Sequence, residues 1–425
     1  MKKVAVIDGI RTPFIKFQTD FNHLSAQELG RIAVRELIER NDFDLAQLDE
    51  VIIGCVGQPA DAANIARVVA LLAGIPQEVP AFTVHRNCAS GIESAAQAYM
   101  KIQVEEGGLF MVGGTESMSN IPMYYSKKVQ DLFVELSKAK SLPARLKTLL
   151  KMRPKDLLNP TVGLMLGLTD PVCGLNMGQT AEVLAKEFGI TRNQQDEFAL
   201  LSHQRAISAR EILKEEIVPV IPGPDYKKAA VNDNGPRENQ TMEALAKLKP
   251  VFDRYAGTVT AGNASQITDG ACALLIGNEE KSRIFAKKPL GYIKAFAFSG
   301  VEPSRMGIGP AHAIPKVLKK AGMKLSDIQA IEINEAFAVQ VLACLTALSS
   351  KEFAKSFGYE GYTGEISRDI LNVNGGSIAL GHPVGTTGAR LILTMLRHME
   401  RQNLNVGLVS LCIGGGQGAA MILER

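Results

Sequence analysis

A cysteine stands between a short apolar run and a stretch of small residues at position 88. The run Ala81–Val84 predicts a buried strand, and the apolar residues of segment 92–100 recur at helical spacing after it. Cys88 is therefore expected at a strand-to-helix turn, where the helix dipole and free N–H groups favour the thiolate. The small residues 89–91 leave room for a substrate. The pattern predicts a nucleophilic cysteine, with a small buried hydrophobe as the alternative interpretation.

One histidine is crowded by glycines in segment 372–390. Gly381 and Pro383 flank His382, and Gly385 and Gly388 follow at the predicted start of a helix. Glycines around an ionisable residue indicate that a ligand or another backbone comes close. An imidazole held there can accept a proton from a thiol and stabilise a developing oxyanion. A structural histidine is the alternative, and a phosphate loop is excluded because the Lys-Ser/Thr ending is missing.

Two further segments carry polar or reactive residues at predicted strand ends. Cys412 is followed by glycines at 414–416. Only seven residues follow Gly418, so these glycines cannot open a dinucleotide-binding βαβ unit. Asn334 and Glu335 directly follow a second strand-like run. Because α/β proteins bind ligands at the carboxyl ends of strands, both segments are expected to contribute to one site.

An internal repeat predicts two halves of like topology. Residues 45–53 and 325–333 share one apolar pattern at an offset of 280, and segment 83–114 parallels segment 371–416. Strands that alternate with helices predict βαβ units and a mostly parallel sheet. Chance similarity of two βαβ units is the alternative explanation.

Segment 126–155 interrupts this α/β pattern. It contains nine Lys/Arg residues against Asp131 and Glu135, and its apolar residues recur at helical spacing in two stretches. Pro143 and Pro154 are expected to delimit the second helix. A solvated pair of helices packed on its own protein is one interpretation. A pair that docks on a membrane surface or a partner is the other.

The composition is that of a soluble globular protein. The chain has 425 residues, of which 46% are hydrophobic and 21% charged, and this length predicts two or three domains. A net charge of +3 and the absence of Trp argue against nucleic acid as a partner. We expect a cytoplasmic location, because no secretory or transit signal and no spanning stretch of roughly 18 residues is visible. Six cysteines without a Cys-x-x-Cys pair argue against a structural zinc site.

The four segments, taken together, resemble the thiolase family. The resemblance covers essentially the whole chain and includes residues 177–182 and 257–265. It implies an α/β fold in which duplicated βαβ halves pack as a layered αβαβα core with an inserted loop domain. The implied boundaries are 1–121 for the N-terminal half, completed by 252–285, then 122–251 for the insert with its basic amphipathic helices, and 286–425 for the C-terminal half.

The resemblance also implies an acyltransferase of fatty-acid β-oxidation, which cleaves 3-oxoacyl-CoA with CoA into acetyl-CoA and a two-carbon-shorter acyl-CoA. Cys88, activated by His382, would form the acyl-enzyme, and Cys412 would protonate the departing acetyl-CoA carbanion. His382 and a water held by Asn334 would form one oxyanion hole. The backbone N–H groups of Cys88 and Gly414 would form the other. CoA is a substrate here, and neither a metal nor another cofactor is implied.

On the CoA side, the resemblance assigns Ser265 and Met177 to the pantetheine and places Phe337 near the acyl pocket. The sequence departs from the family pattern beside Ser265. Gln266 stands where many relatives have Gly, and Thr268 replaces a frequent Asn. Either residue is expected to alter the contacts on the CoA side.

The long basic insert resembles that of the degradative thiolases that serve as a subunit of the β-oxidation complex. Asn334, in contrast, stands where that branch often has His.

Biosynthetic condensation of two acetyl-CoA is the nearest alternative to thiolytic cleavage. A non-catalytic acyl-CoA or lipid carrier is another, but a carrier should lack a reactive residue. The implied partners are acyl-CoA and CoA, further copies in a homodimer or homotetramer, a hydratase/dehydrogenase subunit, and a membrane surface contacted through 127–155.

Overall fold

The computed structural model describes residues 2–356 and 363–425. Its helices are α1 Ala26–Asn41, α2 Ile65–Leu72, α3 Ser90–Gln103, α4 Lys127–Lys138, α5 Leu142–Lys151, α6 Pro154–Leu158, α7 Gly163–Gly167, α8 Met177–Glu187, α9 Arg192–Ser208, α10 Arg210–Leu213, α11 Met242–Ala246, α12 Glu279–Ser282, α13 Gly309–Ala321, α14 Ala338–Ser349, α15 Lys351–Ser356, α16 Ser377–Leu380 and α17 Thr387–Gln402. Its strands are β1 Val4–Arg11, β2 Ile15–Lys16, β3 Glu50–Gly54, β4 Ala81–Val84, β5 Leu109–Glu116, β6 Met123–Tyr124, β7 Thr161–Val162, β8 Thr268–Asn278, β9 Gly291–Gly300, β10 Ala330–Ile333, β11 Val406–Ile413 and β12 Gln417–Glu424. No helix within the two described ranges combines the length and the apolar content that crossing a bilayer requires.

The main sheet divides into two groups of strands with the same order. The first group runs β1-β8-β5-β3-β4, and the second runs β9-β12-β11-β10. A parallel bridge between Ile331 and Leu371 places residue 371 beside β10, where β4 lies beside β3 in the first group. Two residue pairs between β1 and β9 join the groups into one sheet.

This shared order confirms the predicted duplication. Residues 45–53 form a 3₁₀ turn and β3, and residues 325–333 form the matching turn and β10. The expectation of a mostly parallel sheet is wrong. Strand β8 runs antiparallel to both β1 and β5, and β12 runs antiparallel to both β9 and β11. The turn at 414–416 between β11 and β12 is too short for the crossover that a parallel pair needs.

Helices cover both faces of the two groups of strands. Ile92 of α3 and Leu391 of α17 share one buried cluster with Phe110 of β5 and Leu411 of β11, so these two helices lie between the groups. Helices α1 and α2 pack on the outer face of the first group. Helices α13 and α14 pack on the outer face of the second. The order of layers is the αβαβα arrangement that the resemblance implies.

The inserted segment has an outer and an inner part. Along the chain, helices α4, α5 and α6 come after β6 and before β7, and these two short strands pair antiparallel. Farther along the chain, Leu184 of α8 and Phe198 of α9 are buried in the cluster that contains α13 and α14. The outer part therefore projects from the core, whereas the inner part contributes to it.

Helix α5 turns its apolar face outward. Leu142, Leu146 and Leu150 are 71%, 53% and 86% exposed. Thr148, on the opposite side of the helix, is buried and donates a hydrogen bond to the Glu135 carboxylate at 3.2 Å. The interpretation of a helix pair packed on its own protein holds for Val129 and Leu132 of α4, which are buried, but not for these leucines of α5. The predicted limits of the helix are confirmed, since a proline follows its first residue and another proline begins α6.

Candidate active site

The turn that carries Cys88 lies between a strand and a helix, as predicted. β4 ends at Val84, α3 begins at Ser90, and Asn87 between them adopts a left-handed backbone with φ of 42°. Ser90 Oγ donates to the Asn87 carbonyl at 2.7 Å and accepts from the Arg86 N–H at 2.9 Å. These bonds fix Cys88 immediately before the first turn of α3.

Gly414 lies against this turn. Asn87 Nδ2 donates to the Gly414 carbonyl at 2.6 Å, and the backbone N–H groups of Gly414 and Cys88 lie near enough to the Cys88 sulfur to lower the pKa of its thiol. Gly415 and Gly416 adopt φ of 88° and 80° in the turn between β11 and β12, which glycine allows without strain. Two backbone donors therefore converge at the predicted nucleophile, an arrangement that can stabilise negative charge on a bound acyl group.

The pKa of Cys88 differs from the expectation. Burial raises the pKa of the thiol above its ordinary value, and the N–H groups of Gly414 and Cys88 lower it by less. The prediction that the helix N terminus favours the thiolate is therefore wrong, because the loss of solvation outweighs the backbone donors. The thiol stays protonated at neutral pH and requires a base before it can attack.

We expect the alkylation rate of Cys88 by iodoacetamide to keep rising with pH to at least about 9. The raised pKa leaves a smaller thiolate fraction than the few per cent that a free cysteine has at pH 7. Peptide mass spectrometry after timed quenching measures this rate, with the partly exposed Cys173 as the internal reference. A rate that levels off below about pH 8 would show a depressed pKa and contradict this conclusion.

His382 is held from three sides. Its backbone N–H donates to the Gln266 carbonyl at 3.0 Å, its Nδ1 lies 2.6 Å from Thr387 Oγ1, and its Nε2 lies 3.3 Å from Asn334 Nδ2. Burial, and after it the positive charge of Arg390, lowers the pKa of the imidazole to about 3. The ring is therefore neutral at physiological pH and can accept a proton.

Adjacent parallel strands bring Asn334 towards Cys412. Asn334 follows β10 and donates its backbone N–H to the Ser410 carbonyl on β11 at 2.8 Å. Cys412 lies two residues farther along β11. Burial raises the pKa of the Cys412 thiol well above its ordinary value, and a charge on Cys88 would raise it further. The two sulfurs therefore share one electrostatic environment, and Cys412 is held in its protonated form.

Two glycines allow α3 and α17 to touch where they begin. A Cβ added to Gly91 would stand 2.4 Å from the Ala389 nitrogen, and a Cβ added to Gly388 would stand 2.4 Å from the Ile92 nitrogen. Any side chain at these positions would force the helices apart. The contact brings the turn of Cys88 together with the histidine loop that precedes α17.

A cavity of about 730 Å³ opens over this turn. Cys88, Gly414 and Met177 line it, and Val384 of the histidine loop completes the same wall. Apolar residues on the insert side form the opposite wall: Ile121, Tyr124, Leu164, Leu166 and Leu168. A ligand that fills the cavity reaches the Cys88 sulfur between a backbone-lined floor and an apolar wall.

The other predicted site residues do not line the cavity. His382, Asn334 and Cys412 are buried and are not among the residues that line it. Ser265 and Phe337 lie side by side because a backbone bridge joins residues 264 and 337, and neither forms part of the wall. Within residues 2–356 and 363–425, no group of three or more His, Cys, Asp or Glu side chains is arranged to hold a metal.

Glu116 was not singled out by the sequence. Its carboxylate, at the end of β5, accepts the N–H groups of Val56 at 3.1 Å, Gly57 at 2.8 Å and Gly385 at 2.9 Å. Burial raises the pKa of this carboxyl to about 7. Val56 and Gly57 line the cavity, so Glu116 joins the cavity wall to the histidine loop. A buried acid directly after a glycine-rich strand end is the signal that would have indicated it.

Gln266, which was expected to alter the contacts on the CoA side, binds the backbone beside the histidine loop. Its Nε2 donates to the carbonyls of Gly235 at 3.1 Å, Ile378 at 3.0 Å and Ala379 at 3.2 Å. It is not one of the residues that line the cavity. Gln266 therefore anchors α16 immediately before His382.

Family models and relatives agree with this geometry. The thiolase N-terminal domain model matches residues 4–280, and the thiolase C-terminal domain model matches residues 287–425. A 3-ketoacyl-CoA thiolase of Pseudoalteromonas translucida (strain TAC 125) is 42% identical over 429 residues, which cover 99% of this chain and 97% of that protein. A 3-ketoacyl-CoA thiolase of Escherichia coli (strain K12 / MC4100 / BW2952) is 39% identical over 428 residues, with coverage of 99% and 97%.

Solved structures show the same likeness. The human mitochondrial 3-ketoacyl-CoA thiolase in complex with CoA superposes with a TM-score of 0.84 at 35% identity, over 100% of this chain and 98% of that chain. The Bacillus anthracis acetyl-CoA acetyltransferase superposes with a TM-score of 0.85 at 35% identity, over 100% and 99%. The chain therefore belongs to the thiolase family, and it is an enzyme of the acyltransferase class.

Proposed function

We propose that the chain cleaves 3-oxoacyl-CoA with CoA, giving acetyl-CoA and an acyl-CoA two carbons shorter, as a step of fatty-acid β-oxidation. The observation that carries the proposal is the Cys88 thiol on the cavity floor, with two backbone donors at its sulfur. The neutral imidazole of His382 is buried in the loop whose Val384 lines the cavity, and the protonated Cys412 is close enough for a charge on Cys88 to raise its pKa. Relatives named 3-ketoacyl-CoA thiolase support this substrate class.

The first half-reaction forms the acyl-enzyme. Cys88 gives its proton to His382 Nε2, and its thiolate attacks the C3 carbonyl carbon of the substrate. The N–H groups of Cys88 and Gly414 stabilise the oxyanion at C3. The C2–C3 bond then breaks, and its electron pair stays on C2. The charge on the neighbouring thioester oxygen is stabilised by protonated His382 and a water held by Asn334. C2 takes the proton of Cys412, and acetyl-CoA leaves.

The second half-reaction restores the enzyme. A second CoA gives its thiol proton to the Cys412 thiolate and attacks the thioester carbonyl carbon on Cys88. The Cys88 thiolate leaves and takes its proton back from His382. Each cycle consumes one CoA and one 3-oxoacyl-CoA and returns all three side chains to their starting protonation states.

The walls of the cavity suit the two parts of the substrate. Tyr124, Leu164 and Leu168 offer an apolar surface for the acyl tail, and each buried methylene contributes about 0.8 kcal/mol to binding. Met177 lies beside Gly414, with its Sδ 3.3 Å from the point where a Cβ on that glycine would stand, and we place it beside the pantetheine. The assignments of Ser265 to CoA and Phe337 to the acyl pocket remain predictions.

A series of 3-oxoacyl-CoA substrates tests the proposal. Purified protein is given CoA and substrates of about 4 to about 16 carbons, and the loss of the 3-oxoacyl-CoA absorbance is followed. We expect kcat/KM to rise from the shortest substrate to medium-length ones, because the apolar wall buries more of the tail. The Cys88→Ala protein supplies the background rate. Activity on the four-carbon substrate alone would overturn the proposal.

Condensation of two acetyl-CoA is the second candidate function. The observation in its favour is the likeness to an acetyl-CoA acetyltransferase, which has the same fold and the same identity to this chain as the human thiolase. The relatives at 39–42% identity and the apolar cavity wall favour cleavage of longer substrates. An acyl-CoA carrier without turnover would not need the paired thiols and the imidazole that the site contains.

The outer part of the insert is proposed to contact an anionic membrane surface. The three outward-facing leucines of α5 described above lie among basic residues: Lys138, Lys140, Arg145, Lys147, Arg153 and Lys155. Only three basic residues of segment 127–155 are seen in ion pairs within the insert, and they pair with Asp131, Glu135 and Asp156. An exposed apolar face with excess positive charge is complementary to anionic lipid.

We expect the triple charge reversal of Lys138, Lys140 and Lys147 to Glu to weaken binding to anionic vesicles by about 100-fold or more. Each basic residue contributes about 1 kcal/mol at such a surface. Co-sedimentation with phosphatidylglycerol vesicles measures the binding, with phosphatidylcholine vesicles for comparison. Reversal of the exposed Lys228, Lys288 and Lys319 is the matched control. Unchanged binding of the insert variant would remove the proposal, and pull-down of a hydratase/dehydrogenase instead would indicate a protein partner.

We also propose three domains: an N-terminal half of residues 1–121 completed by 252–285, an insert of residues 122–251, and a C-terminal half of residues 286–425. The matching strand orders of the two halves support this division.

We further propose that the chain forms a homodimer or homotetramer and that it is located in the cytoplasm. The position of β4 at the edge of the sheet, with exposed Leu71 and Leu72 on the neighbouring α2, supports pairing between copies. Analytical ultracentrifugation distinguishes these assemblies from a monomer.

A further inference from the structure

Two buried hydroxyl groups lie on opposite sides of the His382–Asn334 pair. Thr387 Oγ1, in the first turn of α17, is 2.6 Å from His382 Nδ1. Ser377 Oγ, in the first turn of α16, donates to Asn334 Oδ1 at 2.6 Å. All four side chains are buried, so each hydrogen bond is made in a medium where an unpaired polar group is costly. The proposed function uses the imidazole and the amide but assigns no part to either hydroxyl.

The bonds of Thr387 determine which nitrogen of His382 carries the proton. Thr387 Oγ1 donates its hydrogen to the Pro383 carbonyl at 3.0 Å. A hydroxyl has one hydrogen, so Thr387 Oγ1 can only accept at its contact with His382 Nδ1. Nδ1 therefore carries the proton of the neutral ring, and Nε2 presents its lone pair.

The bonds of Ser377 determine which end of the Asn334 amide faces the ring. Ser377 Oγ accepts from Arg390 Nη2 at 3.4 Å and donates to Asn334 Oδ1. With its oxygen held there, the amide turns Nδ2 towards His382 Nε2 at 3.3 Å. An N–H donor at that position matches a lone pair on Nε2. A flipped amide would present its oxygen and favour a proton on Nε2.

We propose that Ser377 and Thr387 are positioning residues that together hold His382 in the tautomer with its proton on Nδ1. This inference rests on the proposed function, in which Nε2 must first accept the Cys88 proton and then donate to the developing negative charge. A ring with its proton already on Nε2 could not accept that proton. Thr387 contacts the ring directly and Ser377 acts through Asn334, and both favour the proton on Nδ1.

Histidine-ring ¹⁵N NMR of the intact protein tests the inference, with the His382 signals assigned by their loss in His382→Ala. We expect Nδ1–H in the wild type and a shift of population towards Nε2–H in Thr387→Val and in Ser377→Ala. In both variants kcat should fall by about 10-fold to about 100-fold with KM for CoA unchanged. Thr387→Ser keeps the hydroxyl and should restore both the tautomer and kcat.

The control Thr394→Val removes another buried hydroxyl from α17, one that contacts Glu216 and not the site. It should leave the His382 tautomer and kcat unchanged. The change in its melting temperature measures how much the loss of one buried hydroxyl destabilises the folded protein. Nε2–H in the wild type, or an unaltered tautomer in both Thr387→Val and Ser377→Ala, would overturn the inference. If the wild-type protein showed no thiolysis activity, the proposed function would be overturned instead. The tautomer measurement would still decide the role of the two hydroxyls.

Discussion

Cys88→Ala is expected to reduce the rate of thiolysis by on the order of 10⁴-fold or more. The covalent intermediate cannot form without the sulfur, and loss of a nucleophile from a cooperating set of groups has effects of this size. CoA should bind almost as before, because the substitution removes one atom from the floor of a cavity with many other lining residues. Steady-state kinetics with a medium-length substrate gives the rate, and calorimetry with CoA gives the affinity.

Cys173→Ala is the matched control for this variant. Cys173 is also a partly exposed free cysteine, but it does not line the cavity. The control should retain the wild-type rate. A Cys88→Ala protein that keeps a tenth of the activity, or a Cys173→Ala protein that loses it, would contradict the assignment of the nucleophile.

His382→Ala is expected to lower kcat by about 10²-fold to about 10⁴-fold, the usual contribution of a general acid–base group. The loss should be large because the Cys88 thiol has a raised pKa and is protonated at neutral pH. The wild-type imidazole has a pKa lowered to about 3, so it is neutral between about pH 5 and pH 9, and acylation should not change with its protonation state in that range. Pre-steady-state acylation measured against pH checks both statements.

His398→Ala provides the comparison. His398 lies farther along α17, partly buried, and burial lowers the pKa of its ring as well, yet it contacts none of the site residues described above. Its replacement should change kcat little. If wild-type acylation fell on the acid side near pH 6.5 and this dependence disappeared in His382→Ala, then His382 would titrate in that range and its assignment as a neutral base would be wrong.

Much of the architecture of the site could be predicted from the sequence. The repeat at 45–53 and 325–333 predicted two matching halves, and the turn of Cys88 follows β4 while Cys412 is the penultimate residue of β11, both at strand ends as expected. Such features follow from apolar periodicity and glycine placement, which are local properties of the chain. The parallel direction of the strands was overestimated, because the direction of β8 depends on where the chain returns after the long insert.

The energetics of the site could not be predicted in the same way. The pKa of Cys88 is set by burial among residues distant in sequence, which outweighs the local helix terminus. The hydroxyls of Ser377 and Thr387 gain meaning only once the side chains of Asn334 and His382 lie beside them. Periodicity marked the apolar face of α5, but only tertiary packing decides whether such a face is covered.

The most direct test of the catalytic account is to trap the intermediate. The protein is mixed with one equivalent of a medium-length 3-oxoacyl-CoA, without CoA, quenched in acid and digested, and its peptides are analysed by mass spectrometry. The account predicts release of one equivalent of acetyl-CoA and an acyl group, two carbons shorter than the substrate chain, on the peptide that contains Cys88. An acyl group on a different cysteine, or acetyl-CoA release without any acylated peptide, would contradict it.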